Sequence, residues 1–159
     1  MAKVGRAARV ASKQRAETLG LGTSTPVAKV IEAAETGELY MIDHNHASEL
    51  TISLPPVADG AYFRFQLVTQ LTANGSIVIQ DHADASAGTI KGLVLNVLYA
   101  ASSADTTVAT NKDGGSATKF TISDDTHVGS YVEAYCDGSN WHLSGVCISS
   151  ALNICVFDA

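Results

Sequence analysis

The chain of 159 residues has the length of one ordinary domain able to bury its own core. With 46% hydrophobic and 16% charged residues, 13 Gly and only 3 Pro, a disordered or collagen-like chain is excluded. The net charge of −6 hides a split: Lys3, Arg6, Arg9, Lys13 and Arg15 are half of the ten cations, and no carboxylate stands among them, so the first fifteen residues carry +5 and the rest −11. Such a body repels phosphates, which leaves the basic arm alone to meet a polyanion or an acidic surface.

In chain order, Met1 to Arg15 holds no apolar run of seven or more, so it does not read as a secretory signal. No later run approaches the ~20 apolar residues of a membrane-spanning helix, so synthesis in a cytoplasm and no membrane partner are expected. Val4, Ala7, Ala8 and Ala11 fall on one face of a helix that the arm would form on a surface. Thr18 to Pro26, rich in Gly, Thr and Ser, reads as a connector. The expected division is therefore an arm and linker over residues 1–25 and one folded domain over 26–159.

From Val27 onward short runs with period-two or β-branched character alternate with turn residues. Strands are expected at Val27–Ala33, Glu38–Asp43, Glu49–Leu54, Tyr62–Val68, Ser76–Gln80 and Thr89–Leu98, then at Thr106–Thr110, Thr118–Ser123, Ser130–Cys136, Trp141–Ile148 and Asn153–Phe157. Turns are expected at Thr36-Gly37, Asp59-Gly60, Ala73-Asn74-Gly75, Asp113-Gly114-Gly115 and Asp137-Gly138-Ser139-Asn140. In Val27 to Glu38 the residues Val27, Val30, Ile31 and Ala34 also satisfy a helical stripe, and the strand is favoured because Glu38–Ile42 looks like the return limb of a hairpin. No amphipathic stretch of ten residues separates the strands, so the body is expected to be all-β, an antiparallel β-sandwich or jelly roll, with no internal repeat.

Residues with chemical capacity are scattered. His44 and His46 stand at i and i+2, which on a strand would bring two imidazoles to one face, but no third ligand follows at a fixed spacing, so they are weak metal candidates and no metal or cofactor is expected. Asp81-His82-Ala83-Asp84 and Asp124-Asp125-Thr126-His127 combine carboxylates with a His but come with no nucleophile motif, and read as connecting loops. Asp113-Gly114-Gly115-Ser116 precedes no helix and so lacks the amide cluster that binds phosphate. Cys136, Cys147 and Cys155 show no zinc spacing and read as core thiols, although Cys147 and Cys155 would face each other across a last hairpin loop at Ser149 to Asn153. No catalytic residues are assigned, and an enzyme is not expected.

The C-terminal third carries a resemblance. The run Asp124 to Glu133, with Gly129-Ser130-Tyr131-Val132-Glu133, followed by Cys136-Asp137-Gly138-Ser139-Asn140-Trp141 and Gly145, resembles a hairpin of many tailed-bacteriophage virion proteins. Leu50 to Pro55, Asp59-Gly60 and Phe63-Arg64-Phe65 are similar to the opening strands of the same sandwiches. On the residues themselves, Asp137-Gly138 supplies a turn, Trp141 plugs a core, and Gly129 and Gly145 permit bends or close backbone approach. The resemblance implies a virion structural protein. The expectation is a capsid decoration protein, a homotrimer tying neighbouring subunits of the major capsid protein shell through the basic arm. The alternative is a tail-fibre or knob module whose loops Asp81–Gly88 and Ala101–Gly115 bind a host receptor.

Overall fold

The computed structural model describes residues 15–72, 74–82, 89–98, 107–150 and 155–158, with 107–116 described by backbone course alone. Twelve strands are found in them: β1 (Ala16–Gly22), β2 (Lys29–Val30), β3 (Leu39–His44), β4 (Leu50–Ser53), β5 (Tyr62–Leu67), β6 (Ile77–Gln80), β7 (Ile90–Leu98), β8 (Thr107–Ala117), β9 (Lys119–Ile122), β10 (Tyr131–Cys136), β11 (Trp141–Ser149) and β12 (Cys155–Asp158). One sheet has the order β1-β3-β5-β10-β11-β7-β8 and the other β12-β9-β6-β4-β2. The chain is all-β, as its alternation predicts.

The first six strands wind as a coil. Odd strands enter the seven-stranded sheet and even strands the five-stranded one, each parallel to the strand one coil away. Ala16 pairs with Leu39 and Leu39 with Arg64, while Lys29 pairs with Ile52 and Ile52 with Ile79. Side chains alternate in and out along each strand, so the parallel register stacks like on like toward the core. Tyr40 lies on Phe65 with ring centroids 5.5 Å apart, and Leu19, Ile42 and Leu67 form the next row. Beyond the coil, β10 runs antiparallel to β5 and β9 to β6, while β11 and β7 form a further parallel pair. Both sheets enclose one apolar cluster, in which Phe63, Phe65 and Trp141 from one meet Ile52, Ile79 and Phe120 from the other.

Several expectations are corrected. The sheets are mixed and not antiparallel throughout, because a coil returns to each sheet in the same direction. Thr18 to Gly22 is not a connector but part of β1, held by Leu39 N–H donating to Arg15 C=O at 2.9 Å and by the ladder to β3. Val27–Ala33 shrinks to the two residues of β2, and a 3-10 turn at Ala33–Glu35 follows; of the stripe Val27, Val30, Ile31 and Ala34, only Ala34 lies in that turn. Asp113-Gly114-Gly115 is no turn: β8 runs through it, with Asp113 opposite Gly92 on β7. Without a Cβ, Gly92 can let Leu143 C=O approach to 1.9 Å of where that Cβ would stand.

Candidate functional site

At the β1 and β2 rim an ionic cluster replaces the core. Glu17 continues the row of Tyr40 and Phe65, and Lys29 continues the row of Ile52 and Ile79, so one inward position on each of β1 and β2 is charged while Leu19 and Ile31 stay in the core. The Lys29 ammonium donates to Glu17 at 2.8 Å and to Glu35 at 2.7 Å and lies 5.5 Å from the Tyr40 ring centroid. Burial pulls the Lys29 pKa down, but its hydrogen bonds and charge contacts with the two glutamates outweigh that and raise it. Oxygens of Glu17, Glu35 and Glu38 lie within 4.8 Å of one another, an arrangement able to hold a cation, and Lys29 is the cation that two of them bind. The Tyr40 hydroxyl titrates well above its usual range because of burial and then the charges of Glu35, Glu38 and Glu17. Arg15, its side chain 78% exposed, reaches Glu38 at 3.5 Å. Sequence reading missed this cluster because its members are spread from Arg15 to Tyr40 and no motif links them.

The outer face of the seven-stranded sheet is the second surface. The ladders align Met41, Gln66, Tyr131, Val146 and Leu95 in one row across five strands. In the adjoining row Arg64 donates to Glu133 at 2.8 Å and to Gln66 at 3.2 Å, and its guanidinium stacks 4.4 Å from the Tyr131 ring centroid. Tyr135 and Leu93 are exposed on the same sheet. This is a broad face of aromatic and aliphatic groups around a self-neutralised ion pair, the chemistry of a protein contact.

Of the residues singled out in the sequence, Lys3, Arg6, Arg9 and Lys13 lie outside the described residues. His44 ends β3 fully buried, while His46 lies beyond the strand end and accepts a hydrogen bond from Ser48 N–H on Nδ1 at 2.9 Å. The two imidazoles therefore do not share a strand face. Among the described residues the sole grouping of three metal-capable side chains is the glutamate trio. Asp81 is a turn acceptor, taking hydrogen bonds from Thr89 N–H at 2.9 Å and Thr89 Oγ1 at 2.6 Å. Of the two loops assigned to receptor binding, residues 83–88 and 101–106 lie outside the described residues and 107–115 belongs to β8.

The hairpin of β10 and β11 carries the motif residues singled out in the C-terminal third. Asp137 Oδ1 accepts from Ser139 and Asn140 N–H at 2.8 and 2.7 Å, and its Oδ2 meets His142 Nε2 at 2.7 Å. The His142 contact, then those amides, hold its carboxyl far below the usual carboxylate range. Gly138 takes φ of 87° in the turn. Trp141 is fully buried, donating to Pro55 C=O at 3.2 Å, with Phe63 5.7 Å away between centroids. Gly129 has φ of 94° with open space around it, whereas Gly145 abuts the Tyr131 carbonyl on β10. Cys147 and Cys155 sit on different sheets, not on two limbs of a hairpin. Both thiols are buried, and that of Cys155 is raised by burial and then by Cys147 beside it.

Comparison with protein-family models, curated proteins and solved structures finds no match. The functional reading therefore rests on the surfaces themselves.

Proposed function

We propose that this chain is a structural protein of a tailed-bacteriophage virion, a two-sheet sandwich that binds the assembled capsid shell as a decoration protein and stabilises it. The observation that carries the reading is where the charge split falls in the fold. In sequence the basic segment runs directly into β1, the rim strand of the seven-stranded sheet whose face centres on Arg64 and Tyr131, which supports reading it as a cationic tether. A tether and a face acting together multiply effective affinity. Binding the assembled shell and not its separated subunits stabilises the shell by mass action. A homotrimer presents three tethers and three faces at one lattice point, with the major capsid protein as partner.

The test is the number of copies per purified particle, measured by quantitative mass spectrometry against the major shell protein. A copy number comparable with that of the shell protein supports decoration. A handful of copies per particle overturns it and moves the protein to a tail or vertex, where a receptor-binding role takes over. Attachment through the arm predicts release as ionic strength rises, since a contact between exposed charges is screened.

A further inference from the structure

The frame around Cys147 and Cys155 brings them together from both sides. On β11, Cys147 pairs with Asn96 of β7, and both side chains are fully buried. The Asn96 side-chain amide crosses between the sheets and donates to the Cys155 carbonyl on β12 at 3.2 Å. From the other sheet, Cys155 pairs with Ile122 of β9, and the chain beyond β9 brings Thr126 into a bridge with Ser149, two residues past Cys147. Inside this frame the Cys155 sulfur is in hydrogen-bonding contact with the Cys147 sulfur. Both are free thiols, with Cys147 on the seven-stranded sheet and Cys155 on the five-stranded one. The third thiol stands apart. Cys136 pairs with Trp141, six residues from Cys147 along β11, which at the rise of a strand is about 20 Å and far outside the span of a disulfide.

We propose that Cys147 and Cys155 are a redox pair, two thiols under reducing conditions and a disulfide bridging the two sheets under oxidising ones, and that the bridge locks the C-terminal strand onto the sandwich. β12 is tied to β9 through four residue pairs, so a covalent link from its first residue to β11 holds a short strand in place. The oxidant is a small-molecule disulfide of the glutathione class. One cysteine thiolate attacks a glutathione sulfur, a glutathione thiolate leaves, and a mixed disulfide forms; the second cysteine thiolate then attacks the protein sulfur of that mixed disulfide and releases the second glutathione. Two protein thiols are thereby oxidised to one disulfide while one glutathione disulfide is reduced to two thiols. Burial closes the native thiols to the reagent. The exchange therefore runs in the opened or refolding chain, and the fold selects which two sulfurs stay joined.

The test is refolding of the whole chain, unfolded in its reduced state, in a buffer of oxidised and reduced glutathione, with free thiols then alkylated and the disulfides mapped by mass spectrometry without reduction. The expected product is a monomer with Cys147 joined to Cys155 and Cys136 alkylated, exceeding either linkage to Cys136 by about tenfold, because the fold fixes the local concentration of one pair. Equal amounts of the possible linkages, free thiols throughout, glutathione left on Cys147 or Cys155, or a disulfide-linked dimer each overturns the proposal. As a second readout, the oxidised protein should melt about 5–10 °C above the reduced protein, a gap that Cys136→Ala keeps and that Cys147→Ala or Cys155→Ala removes. An oxidised form that melts no higher than the reduced one overturns the lock. Neither readout involves a particle, so both are independent of the virion reading and of its copy-number test.

Discussion

Buried at the end of β3, the His44 imidazole lies beside Gly75, where an added Cβ would stand 3.4 Å from its Nε2. Burial lowers its pKa from 6.5, with the charge of His46 acting in the same direction. Above the unfolded value the ring is neutral in both states and costs nothing. As pH falls through that value the unfolded chain takes up the proton first, so stability declines until the folded pKa is reached. Thermal melts between pH 7.5 and about 5 should show this loss, and His44→Phe should flatten it; an unchanged slope would refute the assignment. Gly145 offers a sharper steric test, since a Cβ there would stand 2.2 Å from Tyr131 O and 2.9 Å from Val132 Cα. Gly145→Ala should cost about 1–3 kcal/mol in denaturant unfolding through this overlap, whereas Gly129→Ala meets no close atom and is strained by its φ of 94° instead. The three thiols should stay unreactive toward a thiol reagent in the native protein and titrate fully on unfolding, because Cys136, Cys147 and Cys155 are all buried. At this scale the turn of Asp137-Gly138 and the burial of Trp141 were legible, since each depends on residue type and immediate neighbours. The separation of His44 from His46 was not, because it depends on where β3 ends.

Lys29 decides how β1, β2 and the 3-10 turn at Ala33–Glu35 hold together, for it bridges all three. Glu35 shows the reciprocal effect: burial would raise its pKa, but Lys29 and the Glu32 amide outweigh that and lower it. A carboxylate of this kind contributes stability above its unfolded pKa, and that contribution is lost as pH falls through the folded value. Lys29→Met should therefore destabilise the protein by about 1–3 kcal/mol at pH 7, since it leaves carboxylates facing one another. The difference from the natural protein should shrink as pH approaches 4.5, the ordinary Glu value, and a constant difference would count against the ion cluster. The elements around this point were the hardest to foresee. β1 reads as a connector because Gly20, Gly22 and Thr23-Ser24 have turn chemistry, yet the ladder to β3 and the burial of Leu19 override it. The strands from Tyr62 onward were legible because Phe63, Phe65 and Leu67 alternate with Arg64 and Gln66. The coil stayed hidden because its repeat preserves only inward and outward alternation, at separations of 23 and 25 residues along the first sheet and 23 and 27 along the second, not residue identity.

For the molecule as a whole, the decoration role predicts that particles lacking this protein lose their genome at lower temperature and lower osmotic stress, and that adding the purified protein back restores both. Particles of unchanged tolerance would contradict it. The winding order has a separate consequence for synthesis. Strands β1 to β6 can coil in the order in which they leave the ribosome, since each meets its partner one coil later. The edge of β5, however, waits for β10, with Arg64 paired to a glutamate 69 residues downstream, and the edge of β6 waits for β9. A nascent chain that has emerged only as far as Gln80 thus exposes two unpaired, apolar strand edges. Translation speed over residues 81–136 sets how long that exposure lasts, and slowing it should divert the product toward aggregates.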